Sequence, residues 1–360
     1  MWLSDVESRT GPGFFRRRQL IVLGSDITAL AVVRSAYHLG VLSVLVDNRA
    51  GIATASRLAH ADVHPGLRPA ELVPRIRELA RRAPSALLAT SDVWLRAVVA
   101  HRAELSVNGM EILHPDNARL EICLDKGRFA RWCEQHWLPA PRPYGISANA
   151  NLELERAGAA PSAAESLLGR QLQQFSVGAA VSAPAMMTIV TRKVRPLPDA
   201  CDAGSLVEAT EQSDVERLAQ RALSALDYHG IAEVEILRDE DSGELFVIEV
   251  NARPWKHFAI AAARGRDLLA FVLERRATAR PSPTVSDDRR AVWLDFRHDL
   301  RVCFGTRGLV RTGRLGLWAY VRSIARANVF ARWTLSDPLP ACRDFRARVQ
   351  SALSRKLRLH

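Results

Sequence analysis

Lysine is almost absent from this sequence, although the chain is strongly basic. Only four of its 50 basic residues are lysines, and the arginines that make up the rest are spread along the chain, giving a net charge of +11. A nucleic-acid binder usually concentrates such charge on one face with aromatic residues between, so we expect no specific nucleic-acid partner. Scarcity makes each lysine a candidate for a particular role; the four are Lys126, Lys193, Lys256 and Lys356.

Cysteine pairs and long apolar runs are also lacking. The five cysteines form no CxxC pair, which excludes the usual zinc spacing and suits a reducing compartment. Apolar runs such as Ile27 to Val33 are far too short to span a bilayer. The N-terminal residues mix acids, Gly and Pro before any apolar run, an order unlike that of a secretory signal. We therefore expect a soluble, cytoplasmic protein.

Glycine is missing where a dinucleotide site would need it. Residues 19–24 (QLIVLG) predict a buried strand, a helix follows that stops at Gly40, and a second strand ends at Asp47. This βαβ pattern predicts a parallel sheet. The turn GSDITA has one glycine where GxGxxG needs three, so we expect no nicotinamide or flavin site and a structural role for Asp47.

The clearest local pattern is a predicted β-hairpin, IAEVEILRDEDSGELFVIEVNARPW. A turn centred near residues 241 and 242 places Glu235 almost opposite Glu249. Strand alternation then puts Asn251 and Arg253 on the same face as these two carboxylates. The apolar neighbours are expected to point the other way, into a core; they are Val234, Ile236, Ile248 and Val250.

Two carboxylates and an amide oxygen on one face form a hard, oxygen-rich site, for which Mg²⁺ bridging phosphate oxygens is the natural occupant. The same pattern also fits the solvated face of an ordinary edge hairpin. Three upstream cations favour the first interpretation, because an ammonium can hold a phosphate as a point charge. They are Lys126, Lys193 and Arg195.

Several motifs resemble those of the ATP-grasp superfamily. The run LDKGRFARWCEQHWLPAPRP resembles the entry motif of its ligases, and the hairpin resembles their metal hairpin. TRKVRPLP resembles the strand that precedes this hairpin in a bacterial branch of carboxylate–amine ligases. The N-terminal βαβ region and the late DPLP, residues 337–340, are similar to the same branch. The resemblance covers roughly residues 19–340.

The resemblance implies the following roles. Lys126 matches the first nucleotide-binding lysine, and Arg253 matches the arginine that steadies the acyl-phosphate. Lys193 and Arg195 stand where the family places basic residues near the phosphates, and we assign Lys193 a catalytic role as well. The implied cofactors are ATP and Mg²⁺. The residues that match the magnesium ligands are Glu235, Glu249 and Asn251.

The expected fold is α/β, with a small doubly wound pre-ATP-grasp domain at 19–118, an ATP-grasp α+β domain at 119–275 and a helical C-terminal region at 291–360. Its small lid subdomain, at about 141–185, is expected to be abridged. The family has a second nucleotide-binding lysine there, whereas this chain has none between Lys126 and Lys193. We therefore expect ATP to bind weakly.

The expected activity is ATP- and Mg²⁺-dependent joining of a small-molecule carboxylate, for which an amino acid is one candidate, to an amine through an acyl-phosphate. The oligomeric state stays open, a homo-oligomer included. One alternative is a degenerate ATP-grasp protein that binds nucleotide or a partner without catalysis.

A second alternative is a module that binds a membrane surface through its basic C-terminal region. Arg322 and Arg326 lie one turn apart there, and basic amphipathic helices can lie on anionic membranes. We favour packing of Trp318, Val321 and Phe330 against the body of the protein, because apolar faces usually serve the core, and so expect no membrane contact.

Overall fold

The structure, a computed structural model, divides into two compact units. The first unites the described residues of 1–113 with those of 332–360, and the second holds those of 114–331. The helical region predicted at 291–360 is therefore shared between the two units. Most of the predicted lid, residues 142–170, lies outside the described residues. The described stretches are 18–107, 109–141, 171–195, 204–275, 290–306 and 308–357.

The first unit is built on a parallel sheet. Its strands are β1 (Gln19–Leu23), β2 (Leu42–Asp47), β3 (Ala59–Val63), β4 (Ser85–Ala89) and β5 (Glu111–Ile112). They lie in the order β3-β2-β1-β4-β5, and every neighbouring pair is parallel. The helices up to residue 113 are α1 (Ile27–His38), α2 (Val73–Arg82) and α3 (Asp92–Leu105).

Local sequence explains where the first elements begin and end. Strands β1 and β4 are almost entirely buried and apolar, as parallel strands covered on both faces must be. Helix α1 begins where the Asp26 side chain accepts a hydrogen bond from the backbone N of Ala29 at 3.0 Å. Gly40 follows it with φ of 71°, a conformation that favours glycine. Asp47 accepts a hydrogen bond from Ser25 Oγ at 2.5 Å, which is the structural role expected for it.

The second unit is built on a mixed sheet of seven strands. These are β6 (Leu172–Ser182), β7 (Ala185–Arg195), β8 (Leu206–Ala209), β9 (Gly230–Asp239), β10 (Leu245–Asn251), β11 (Val292–Leu294) and β12 (Val329–Phe330). They lie in the order β10-β9-β6-β7-β8-β11-β12. All pairs are antiparallel except β11 with β12.

The remaining helices complete both units. Those of the second unit are α4 (Asn117–Leu124), α5 (Lys126–Gln135), α6 (Ser213–Ala225), α7 (Ala259–Ala263), α8 (Leu268–Arg275), α9 (Phe296–Phe304) and α10 (Leu317–Ile324). Helix α11 (Leu339–Leu357) belongs to the first unit. No helix in the described part of the chain has the length and apolar character needed to cross a membrane.

A buried ion pair holds the C-terminal segment in the first unit. Arg34 of α1 donates from Nε to Asp337 Oδ2 at 3.2 Å and from Nη2 to the carbonyl oxygen of Asp337 at 3.0 Å. Ser56 Oγ donates to the same carboxylate at 2.9 Å, and Asp337 is fully buried. The acid of the DPLP motif therefore joins two segments that are far apart in sequence.

We predict that Asp337→Ala lowers the urea midpoint of unfolding. Breaking a buried ion pair leaves an uncompensated charge inside the protein and costs about 3–5 kcal/mol. Glu71→Ala is the matched control, because its pair with Arg68 is exposed and should contribute at most about 1 kcal/mol. An equal, small loss in both variants would contradict the role given to Asp337.

Candidate functional site

A one-residue bulge in β10 sets the face of the candidate site. Val247 pairs with Ile236, but the register then shifts, and Glu249 pairs with Glu235. Ile248 is therefore the extra residue on its strand. An unbroken register would turn Glu249 toward the core, since a slip of one residue exchanges the two faces of a strand. The expected opposition of Glu235 and Glu249 is confirmed, although it is Val247, fully buried, and not Ile248 that fills the core.

A second acid on β9 belongs to the same face. Glu233 pairs with Asn251, two residues before the Glu235–Glu249 pair along β9, and is buried. The amide Nδ2 of Asn251 donates to Glu233 Oε2 at 3.3 Å and to Glu249 Oε1 at 3.0 Å. Arg253 Nη2 donates to Asn251 Oδ1 at 3.2 Å. One amide thus links two carboxylates to a guanidinium.

Strand β7 brings a lysine to this face from across β6. Ser176 of β6 pairs with both Glu235 and Thr191, so Thr191 and, two residues on, Lys193 share the face of the acids. Lys193 Nζ lies 3.1 Å from Glu235 Oε2, and its side chain is only 1% exposed. The structure therefore joins Lys193, predicted as a catalytic and phosphate-binding residue, directly to a predicted metal ligand.

Burial and charge shift the pKa values of this ion pair in opposite directions. Burial lowers the pKa of Lys193, but its interactions with Glu235, Glu233 and Glu249 together outweigh this effect, so the pKa is raised. Burial also raises the pKa of Glu235, against the pull of Lys193, and Glu249 adds to the rise. The two shifts favour a charged lysine and a neutral acid. The 3.1 Å contact supports the charged pair, because a neutral carboxyl would leave the buried ammonium without its closest counterion.

Glu233 is the acid most strongly affected by its surroundings. Burial, and after it the charge of Glu235, raise its pKa to about 8, while Lys193 and Arg253 lower it by less. The cluster thus contains three carboxyl groups facing two cations. Where there are too few cations for all the carboxylates, protonation of one buried carboxyl group costs less free energy than leaving its charge without a counterion.

A neutral histidine and a tryptophan complete the wall behind Glu233. His257 Nε2 lies 3.2 Å from Thr191 Oγ1 and 3.9 Å from Glu233 Oε1. Burial, followed by Lys193 and Lys256, lowers the pKa of His257 well below its ordinary value. Thr191 Oγ1 donates to the Ser176 carbonyl oxygen, so the network assigns the imidazole proton to Nε2.

Gly178 makes room for the tryptophan. A Cβ atom at this position of β6 would lie 2.0 Å from the Trp255 ring, far inside van der Waals contact. Trp255 is buried, and its ring meets Phe258 edge to face with 5.2 Å between centroids. Gly178 pairs with Glu233, so the absence of a side chain there lets the aromatic wall reach the acid cluster.

The donor set has the chemistry that magnesium requires, without forming a dedicated cage. Among the described residues, no group of three or more His, Cys, Asp or Glu side chains is arranged to hold a metal ion. Mg²⁺ is usually held by one or two carboxylates together with substrate phosphates and water, which Glu235 and Glu249 can provide for. Asn251 now points Nδ2 at the acids, so a ligand role for its Oδ1 requires rotation of the amide.

Two predicted cofactor-binding cations lie elsewhere. Arg195 is buried and donates to both carboxylate oxygens of Asp299, at 2.6 and 3.0 Å, and to Ser323 Oγ at 2.6 Å. A bulge between Lys193 and Arg195 separates their partners. Lys126 is exposed at the first position of α5, and no hydrogen bond or ion pair joins it to the acids in the part of the chain described. The structure thus brings together five of the seven predicted site residues and leaves these two outside the cluster.

Sequence reasoning missed three members of the site. Glu233 follows the same two-residue alternation as Glu235, so strand alternation predicts it on the same face, opposite Asn251. Thr191 shows the same alternation ahead of Lys193. His257 has no such signal, because it follows the irregular segment after β10.

We predict that the metal-free chain loses stability as pH rises from about 4.5 to about 8 because of Glu233. Its pKa is raised on folding, so the folded state keeps a proton that the unfolded state releases in this window, and stability is complete only below it. Glu233→Gln should flatten this dependence, as measured by urea midpoints below, inside and above the window. Glu240→Gln, an exposed acid of the same hairpin, is the control; equal slopes in both variants would refute the assignment.

Comparison with known proteins identifies the fold. No protein-family model and no curated protein matches the sequence. The biotin carboxylase domain of a single-chain bacterial carboxylase is similar with a TM-score of 0.56 and 16% identity, over 76% of this chain and 73% of that chain. N5-carboxyaminoimidazole ribonucleotide synthetase from Thermotoga maritima gives 0.53 and 15%, over 77% and 79%.

A third solved structure agrees with these two. It is the biotin carboxylase of Campylobacter jejuni, solved as a β,γ-ATP complex, with a TM-score of 0.56 and 14% identity over 76% of this chain and 74% of that one. Identities this low establish the fold alone. The predicted α/β fold is confirmed, and this chain shares its fold with these carboxylase and synthetase structures.

Proposed function

We propose that this chain is an ATP- and Mg²⁺-dependent ligase that joins a small-molecule carboxylate to an amine through an acyl-phosphate. The observation that carries the proposal is the single sheet face on which Lys193 meets Glu235, with Glu249, Asn251 and Arg253 beside them. Carboxylates, an amide and two cations at these positions of an ATP-grasp fold match the needs of phosphoryl transfer.

In this proposal Glu235 and Glu249 would hold magnesium, and Asn251 could supply its Oδ1 as a third ligand if its amide were rotated. Magnesium, when bound, offsets the negative charge of the ATP phosphates. If Glu235 shared its charge with a metal ion, the Lys193 ammonium would be available to contact a phosphate oxygen. Burial supports that role, because a cation acts more strongly where water is excluded.

Arg253 is proposed to stabilise the acyl-phosphate. The substrate carboxylate oxygen attacks the γ-phosphorus of ATP, and ADP leaves. The amine nitrogen then attacks the acyl carbon, inorganic phosphate leaves with the carbon–oxygen electron pair, and the amine proton passes to phosphate or water. Arg253 lies two residues after Asn251, just beyond the end of β10, and its Nη2 donates to Asn251 Oδ1, which supports a place for its guanidinium beside the proposed metal ligands.

Lys126 remains a proposed nucleotide ligand, and Arg195 is left out of the proposed site. Lys126 stands at the start of α5, where helix N–H groups also favour a phosphate. The Arg195 guanidinium already satisfies Asp299, and breaking that buried pair to reach a nucleotide would leave Asp299 unpaired.

The alternative function is that of a degenerate protein that binds ATP without turnover, and two features of the structure favour it. Lys193 is already neutralised by Glu235, and Lys126 has no structural partner among the described residues. A phosphate-release screen with amino acids as paired substrates, with and without Mg²⁺, separates the two. Release that requires both a substrate pair and Mg²⁺ supports the ligase; ATP binding with no release under any pairing favours the degenerate protein.

We predict that Glu249→Gln abolishes Mg²⁺-dependent nucleotide binding and leaves thermal stability unchanged or slightly higher. The glutamine side chain introduced at position 249 can still accept the hydrogen bond from Asn251 Nδ2. It lacks the negative charge proposed to bind the metal, and its neutrality relieves the like-charge repulsion with Glu235. Titration calorimetry with ATP, with and without Mg²⁺, measures the effect. Glu244→Gln, exposed beside the turn of the same hairpin, is the control, and unchanged binding in Glu249→Gln would remove Glu249 from the metal site.

We predict that Lys193→Met lowers the rate of phosphate release by about 10²–10³-fold, the range typical for loss of one group that stabilises transition-state charge. The free energy of unfolding should fall by less than the activation free energy of phosphate release rises, because Glu235 can take up a proton once Lys193 is gone. Lys356→Met in α11 of the other unit changes the same residue type and should leave release unchanged. A variant that folds and turns over normally would exclude Lys193 from the chemistry.

A further inference from the structure

The outer face of α10 is apolar and uncovered among the described residues. Trp318 is 79% exposed and Leu317 57%, with Val321 also exposed. At about 100° per residue, these three positions fall within an arc of about 100° on the helix. The expectation that Trp318, Val321 and Phe330 pack against the body is therefore wrong, since all three are exposed.

The opposite face of α10 is what attaches it to the second unit. Tyr320 is the buried residue of this helix, and the Arg195 guanidinium lies 5.4 Å from its ring centroid. Arg195 Nη1 also donates to Ser323 Oγ at 2.6 Å. These contacts fix which side of the helix is turned outward, so the exposure of Trp318 is a property of the docked helix.

Helix α9 adds a second exposed apolar stripe. Phe296, Leu300 and Phe304 are spaced four residues apart, lie on one face, and are all exposed. Phe304 meets Tyr320 of α10 edge to face, with 5.0 Å between ring centroids. The two helices are therefore in contact and both present large apolar side chains to solvent.

The charge of this region has one sign. From residue 300 to residue 331, where this unit ends, the sequence contains six arginines and no Asp or Glu. Arg314 precedes α10 and Arg322 lies on it beyond Trp318; both are exposed. Asp299, just before this stretch, is fully buried against Arg195 and adds nothing to the surface.

We propose that α9 and α10 form a docking surface for the anionic headgroups of a phospholipid membrane, on which the protein lies without crossing. Exposed Trp, Phe and Leu side chains would enter the headgroup boundary, and the arginines would contact lipid phosphates. Charge complementarity favours this occupant, because α9 and α10 expose cations and large apolar groups and their one acid, Asp299, is buried. Arg326, which follows α10, lies 3.6 Å from the Glu208 carboxylate and is not counted among these cations. Nucleic acid fits less well, because its phosphates could contact the arginines but would leave the aliphatic side chains of Leu300, Leu317 and Val321 exposed.

The test is co-sedimentation of the full chain with phosphatidylcholine vesicles that contain or lack phosphatidylglycerol. We expect binding to the anionic vesicles, weakened by salt, and little binding to pure phosphatidylcholine. Leu317→Ser with Trp318→Ser, and separately Arg314→Glu with Arg322→Glu, should each lower the bound fraction by more than about tenfold.

Matched controls separate this surface from general stickiness and general charge. Trp137→Ser removes a tryptophan of the same unit that is 85% exposed, and Arg131→Glu with Arg217→Glu changes the net charge equally at other exposed positions of that unit. Both controls should bind as the parent does. The proposal is overturned if the parent ignores anionic vesicles at low salt, if it pellets equally without lipid, or if the controls lose binding as fully as the α10 variants.

Discussion

The extra residue at Ile248 is the constraint on which the candidate site depends. The pairing register of β10 with β9 shifts by one residue between Val247 and Glu249. The two halves of β10 therefore direct their odd-numbered residues to opposite faces of the sheet. Before the bulge, Val247 fills the core; after it, Glu249 joins Glu235 on the opposite face. The backbone N of Val247 donates to the Pro139 carbonyl oxygen at 2.7 Å, so the bulged strand is held from its outer side as well.

Burial of the resulting acids then determines how the surrounding strands are used. Three carboxyl groups on one face need either cations, a metal or protons, and the structure shows two of these solutions. The Lys193 side chain extends across β6 and pairs with Glu235. Glu233 is buried on the same face, and burial raises its pKa, which favours the protonated form. Under the proposed function, a metal ion with phosphates would supply the third, and an acid cluster that destabilises the protein by itself would then have a use.

Short-range patterns predicted the local parts of this arrangement, and long-range contacts escaped them. The hairpin and the parallel sheet follow from alternation, turn residues and apolar runs. The opposition of Glu235 and Glu249 is predicted from a turn centred near residues 241 and 242, whereas the hairpin reaches it through the bulge at Ile248. No Gly or Pro marks the bulge in the sequence, so strand alternation predicts Ile248 in the core. The pairing of Arg195 with Asp299 joins residues far apart in sequence, and nothing in TRKVRPLP distinguishes an arginine that meets an acid from one that meets a phosphate.

Strand β7 links the proposed site to the exposed helices of the same unit. Near its end Lys193 reaches Glu235, and two residues later Arg195 reaches Asp299 of α9 and Ser323 of α10. The bulge between these residues lets one strand serve both, since each side chain meets a different partner. Because Arg195 is buried and bidentate, it fixes the end of β7 more firmly than an exposed pair would. The position of the Lys193 ammonium and the outward orientation of α10 therefore depend on the same few residues of backbone.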